Sequence, residues 1–129
     1  MNLDDRIAIT ELISLHGHLV DAGEDAAELF TPDIAYDVSD LGGGVIVGMA
    51  ALREATNALG DKNPVGHHVT NIVLTAEGPD EVTARSKGIG VMADGSCGSV
   101  TYQDVVVRTP YGWRIRRRTI LARRRPLGR

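Results

Sequence analysis

The chain has 129 residues, 43% hydrophobic and 24% charged, with a formal net charge of −3. This is the make-up of one globular domain with a real core. No apolar run approaches the ~20 residues of a membrane span, and Met1–Arg6 lacks the basic-then-apolar pattern of a secretory leader, so a cytoplasmic protein without membrane contact is expected.

The first predicted element is an amphipathic helix over residues 4–21. Ile7, Ile9, Leu12, Ile13, Leu15, Leu19 and Val20 recur at helical spacing. Asp4 and Asp5 suit its positive end and Gly23 marks its stop. A second short helix is expected over 24–30, ended by Thr31-Pro32. Residues 34–38 read as a strand, Gly42–Gly44 as a turn into a short strand over 45–47, and 48–59 as a third helix. From residue 67 onward the pattern changes to alternation with β-branched residues. Strands are expected over 67–76, 81–93, 99–108 and 113–122, separated by glycine-containing turns. The only cysteine, Cys97, falls in the turn Asp94-Gly-Ser-Cys-Gly-Ser and has no activating neighbour in sequence. Residues 114–129 hold eight of the 14 basic residues and no acid. The alternation of Arg114, Arg116 and Arg118 predicts a solvated or subunit-facing strand surface. Residues 123–129 read as a basic tail with the flexibility of chain ends, beyond a single domain over 1–122. Aromatic content of 4% is too low for a base-stacking platform, so nucleic acid is not an expected partner.

Helices first and an antiparallel meander after them predict an α+β fold, with helices on one face of a sheet. Glycines inside the long strands let such a sheet curl. A curled sheet closed by helices leaves a cone-shaped cavity suited to a small ligand.

Several residues in this frame could do chemistry. His16, His18 and Asp21 lie near the end of the first helix. Their spacing rules out one stripe, though more than one of them could border a pocket there. An aspartate at a helix C-terminus is electrostatically unfavourable, which marks Asp21 as either a surface group or a functional one. His67 and His68 begin a strand and point to opposite faces, so only one can face the cavity. His67 would share its face with Val69, Asn71 and Val73. Tyr102 and Asp104 share a face of a later strand, where a hydroxyl can donate and a carboxylate can act as base. Arg117 would share its face with Trp113 and Ile115, as a buried counter-ion. Tyr36, Asn71, Asp104, His18 and Arg117 form the candidate substrate-binding set. Two histidines on adjacent strand positions do not readily chelate one ion, and no phosphate-binding glycine loop is present. Neither a metal nor a cofactor is expected.

The order of local motifs resembles a known family. Ala8–Asp21, Leu29-Phe-Thr-Pro-Asp33, Gly48-x-x-x-Leu52, Gly66-His-His-Val-Thr-Asn71, Tyr102-Gln-Asp104, and Gly112-Trp-Arg-Ile115 with Arg118 are similar to successive segments of SnoaL-like proteins. These belong to the superfamily of nuclear transport factor two, scytalone dehydratase and ketosteroid isomerase. The resemblance implies a cone-shaped curved sheet behind three N-terminal helices. It is nearest to the branch with scytalone dehydratase, bile acid 7α-dehydratase and hexachlorocyclohexane dehydrochlorinase. In that branch a helix-end aspartate, matching Asp21, orients a strand histidine, matching His67, which removes a proton as a leaving group departs. His16 stands where the family often has a tyrosine or lysine, as an acid assisting departure, and Tyr102 is a second donor. The family's second His or Asp on the next long strand has no counterpart in Lys87–Met92, where Lys87 is the only titratable side chain. The resemblance implies a lyase or isomerase acting on a small hydrophobic substrate, in a homodimer or homotrimer. The fold also carries polyketide cyclases, epoxide hydrolases using aspartates such as Asp104 or Asp37, and non-catalytic binding modules.

Overall fold

A computed structural model describes all residues, 1–129. Helix α1 (Leu3–Asp21) starts at Asn2, whose side chain accepts the Asp5 N–H while Asp5 accepts the Asn2 N–H. This reciprocal cap satisfies two of the helix's orphan donors. The cap is therefore Asn2, with Asp5 as its partner. Strand β1 (Phe30–Asp37) and the short β2 (Val45–Val47) follow, then helix α2 (Met49–Leu59). Four long strands complete the chain: β3 (Gly66–Ala76), β4 (Glu81–Val91), β5 (Cys97–Thr109) and β6 (Gly112–Ala122). They form one curved six-stranded sheet in the order β2-β1-β6-β5-β4-β3. Every pairing is antiparallel except that of β1 with β6.

The expected helix over 24–30 is reduced to a single 3-10 turn at Ala27–Leu29. The Asp25 carboxylate accepts the Ala27 N–H at 3.0 Å, and so few residues cannot sustain a helix nucleus. The strand that follows begins at Phe30, four residues before the expected position, and runs through Pro32. Proline is tolerated because β1 and β6 fall out of register between Phe30 and Ala35. Two α-helices, with short 3-10 turns, thus stand where three helices were expected.

The core joins one stripe of α1 (Ile9, Leu12, Ile13) to the inner face of the sheet (Phe30, Ile34, Val82, Ala84, Val106, Trp113, Ile115). Two bulges change which residues reach that face. In β3 the pairing slips by one residue between Thr70 and Val73, and Asn71 takes φ 58°. In β6 it slips where Ile115 faces Val106 but Arg117 faces Val105. One extra residue reverses the in–out phase of everything beyond it. No helix is long and apolar enough to cross a membrane.

Candidate active site

Helix α1 packs on β3 backbone to backbone. A side chain at Gly17 would collide with the carbonyl of His67, so only glycine permits this approach. The contact brings the last turn of α1 against the first residues of β3. Asp21, the final residue of α1, accepts the His67 backbone N–H at 3.1 Å and lies 2.7 Å from His67 Nδ1. Burial alone would raise the Asp21 pKa, but these bonds hold it below the ordinary carboxylate value. A carboxylate on Nδ1 fixes the tautomer in which Nδ1 carries the proton and Nε2 is the base.

His16, one turn earlier and buried, sits across from this pair. Its ring lies 6.1 Å from His67 and 6.3 Å from Tyr102, edge to face. Burial, then the Arg118 charge, then His67 hold its pKa well below 6.5. His16 is thus neutral at pH 7 and can donate a hydrogen bond. Tyr102 is buried on β5, its ring lying where a side chain at Gly88 would otherwise stand. Burial raises its pKa, so its hydroxyl stays protonated.

Beneath these groups lies a fully buried ion pair. Arg118 Nε and Nη2 contact the Asp104 carboxylate at 2.7 and 2.8 Å, with both side chains wholly enclosed. The guanidinium stacks 4.4 Å from the Tyr102 ring centroid. Tyr36, on the neighbouring strand, has its pKa pushed up to about 12 by burial, against the opposing charge of Arg118. His16 Nδ1, Ser86 Oγ, Thr31 Oγ1 and Arg118 Nη1 are buried without a protein partner. Such atoms mark an interior with polar groups in it.

The structure therefore brings Asp21, His67, His16 and Tyr102 together, with Tyr36, Asp104 and Arg118 behind them. It does not bring in the other three candidates. His18 faces outward, in a groove of about 540 Å³ shared with Leu12, Leu15 and Trp113 on the far side of α1. Asn71 is the exposed bulge residue and accepts from Thr70 Oγ1 at 2.6 Å. Arg117 is 45% exposed and pairs with Asp37 at 3.0 Å. The buried counter-ion is Arg118, which strict alternation had placed on the outer face. Lys87 also points outward, to Thr101. Ser86 escaped notice although it alternates with Val82 and Ala84, a phase that period two alone reveals. Nowhere do three or more of His, Cys, Asp and Glu converge as a metal site requires.

Residues 1–119 match the family model described as "SnoaL-like domain". The chain belongs to the SnoaL-like domain family. A nuclear transport factor two-like protein with a cystatin-like fold from Novosphingobium aromaticivorans is 32% identical, over 93% of this chain and 82% of that one, with a TM-score of 0.77. A protein provisionally named an aromatic ring hydroxylase, from the same organism, is 30% identical over 97% and 93%, with a TM-score of 0.80. The hexachlorocyclohexane dehydrochlorinase LinA type 2 shares the fold at 22% identity, over 95% and 87%, with a TM-score of 0.77. Comparison with curated protein sequences finds no match. The family fixes the SnoaL-like fold and leaves the chemistry to the residues on the inner face.

Proposed function

We propose that this SnoaL-like chain is a cofactor-independent lyase or isomerase whose general base is His67. The observation that carries the reading is the 2.7 Å contact of Asp21 with His67 Nδ1, backed by the Asp21 bond to the His67 N–H. A carboxylate so held turns Nε2 toward the interior as the proton acceptor and stabilises the imidazolium that forms. In an elimination, His67 takes the proton from the carbon next to a carbonyl. The C–H electron pair becomes the new double bond as the leaving group departs with its own pair. Tyr102 and neutral His16 donate hydrogen bonds to the oxygen that gains charge. LinA type 2, a dehydrochlorinase with the same fold, lends support by analogy of fold alone.

The rival chemistry, with Asp104 or Asp37 as base, has less behind it. Asp104 is clamped by Arg118, and Asp37 is held by Arg117 and the Ser39 N–H.

The test is a panel of small β-hydroxy and β-halo ketones assayed for loss of water or halide, with wild type, Asp21→Asn and His67→Ala. Turnover in wild type that disappears in His67→Ala supports the assignment. Undiminished turnover in His67→Ala overturns it.

A further inference from the structure

Ala84, Ser86, Gly88 and Gly90 alternate along the inner face of β4. In the sheet register Ser86 pairs with Tyr102 on β5, Gly88 with Val69 on β3, and Gly90 with His67 on β3. The Tyr102 side chain does not stay in its own row. A Cβ at Gly88 would overlap Tyr102 Cε2 and would stand 2.8 Å from Cζ and 2.9 Å from the hydroxyl oxygen. The ring therefore leans across β4, one row nearer to His67, and its hydroxyl lies over Gly88. From there β3 is one strand spacing away, about 4.8 Å, and the row of His67 is one step of two residues along, about 7 Å.

The ring is held on two sides. The backbone at Gly88 lies against one edge, and the Arg118 guanidinium covers a face at 4.4 Å from the centroid. Arg118 is itself pinned by Asp104. The Tyr102 hydroxyl has no hydrogen-bond partner in the chain, yet it is not sealed off as Ser86 Oγ and Arg118 Nη1 are. His67 Nε2 is likewise unsealed, while Nδ1 is taken by Asp21. A donor and a base are thus both left open to a ligand.

We infer that Gly88 is a positioning residue of the proposed site: its missing side chain lets the Tyr102 hydroxyl cross β4 toward His67, so that one small molecule can meet donor and base together. The inference rests on Tyr102 being the donor proposed above, and it adds the residue that aims it. The backbone does not ask for glycine here, because β4 keeps ordinary strand geometry at this position. What is excluded is a side chain in the path of the ring. Gly17 differs, since its neighbour is a backbone carbonyl that cannot yield. At Gly88 the neighbour is the far edge of a side chain, which can. Gly88→Ala should therefore fold and turn the hydroxyl aside, and supporting residues of this kind act through such small misplacements.

The test reads binding, not turnover. 2-Cyclohexenone offers one carbonyl oxygen and cyclohexene offers none, and NMR titration gives the dissociation constant of each. Wild type is expected to prefer 2-cyclohexenone. Tyr102→Phe weakens that ligand by roughly two- to tenfold, about what one hydrogen bond contributes, and leaves cyclohexene unchanged. Gly88→Ala does the same, and the double variant binds no worse than either single one. Gly90→Ala is the control, on the same strand and face: its methyl would meet Pro64 at 3.2 Å, not Tyr102, and the preference should persist. Wild-type affinity for 2-cyclohexenone in Gly88→Ala overturns the inference, as do additive losses in the double variant. No preference in wild type, or an unchanged constant in Tyr102→Phe, overturns the donor and the inference with it. None of these results touches the base assignment, which stands or falls with turnover in His67→Ala.

Discussion

Gly17 and His67 meet backbone to backbone, and the distance between helix and strand at that point decides whether Asp21 reaches the imidazole. The site is set by an absence of side chain as much as by the side chains themselves.

Gly17→Ala sets two effects against each other. Alanine favours an α-helix by about 1 kcal/mol over glycine. Forcing a methyl against the His67 carbonyl costs about 1–3 kcal/mol in strain. The expected net result is a less stable protein by urea unfolding, despite the better helix residue. Its His67 ring should also lose the Nδ1-protonated tautomer in long-range nitrogen–proton NMR. A stable variant with the tautomer intact would show that the approach is looser than described.

Asp21→Asn keeps the shape of the side chain and removes its charge. The amide no longer dictates which ring nitrogen carries the proton. The expected outcome is a mixed tautomer signal for His67 and a loss of kcat of about 10²–10⁴-fold, with unfolding midpoints little changed. In wild type, the Asp21 pKa is below its ordinary value of 3.8 in the folded chain. The stabilisation it supplies is therefore present above pH ~4 and is lost as pH falls through its folded value.

His16 makes stability depend on pH in a separate window. Its folded pKa lies well below 6.5, so between 6.5 and that value the unfolded chain binds the extra proton. Stability should fall as pH drops below 6.5, with a slope approaching about 1.4 kcal/mol per unit. The groups that face His16 are Arg118, His67 and the Tyr102 ring. In His16→Gln the slope below pH 6.5 should flatten in thermal melts. An unaltered slope would assign it to another group.

Removing one member of the buried pair leaves a charge without compensation. Asp104→Asn should cost about 3–5 kcal/mol. Arg118→Met combined with Asp104→Leu should cost less than Asp104→Asn alone, because no orphan charge remains. Chemical denaturation of the single and double variants checks both values.

The meander was legible because four runs of alternating β-branched residues are bounded by glycine turns, and β3 to β6 begin and end within about two residues of the pattern. Asp21 and His67 were singled out by a helix-end acid in the wrong field and by the family resemblance. The bulges were not legible. One extra residue in β6 sends Arg118 inward and Arg117 out, and one in β3 turns Asn71 to solvent. Nothing local in either strand announces the insertion, since it is the partner's register that creates it. The start of β1 was missed for a related reason: Pro32 reads as a helix stop, and only the irregular pairing with β6 lets it sit in a strand.

The parallel pairing of β1 with β6 sets an order of events during synthesis. Apart from the three-residue β2, the first strand has no neighbour until the last one has left the ribosome. Trp113, Ile115 and Arg118 all arrive with that final strand, and Asp104 waits for its arginine until then. The nascent chain must hold its first strand without its β6 neighbour until β6 is made, although α1 can already pack on β3. Non-local closure of this kind is slow, so the docking of β6 beside β1, not the pairing of β3 with β4, should time the appearance of a native core.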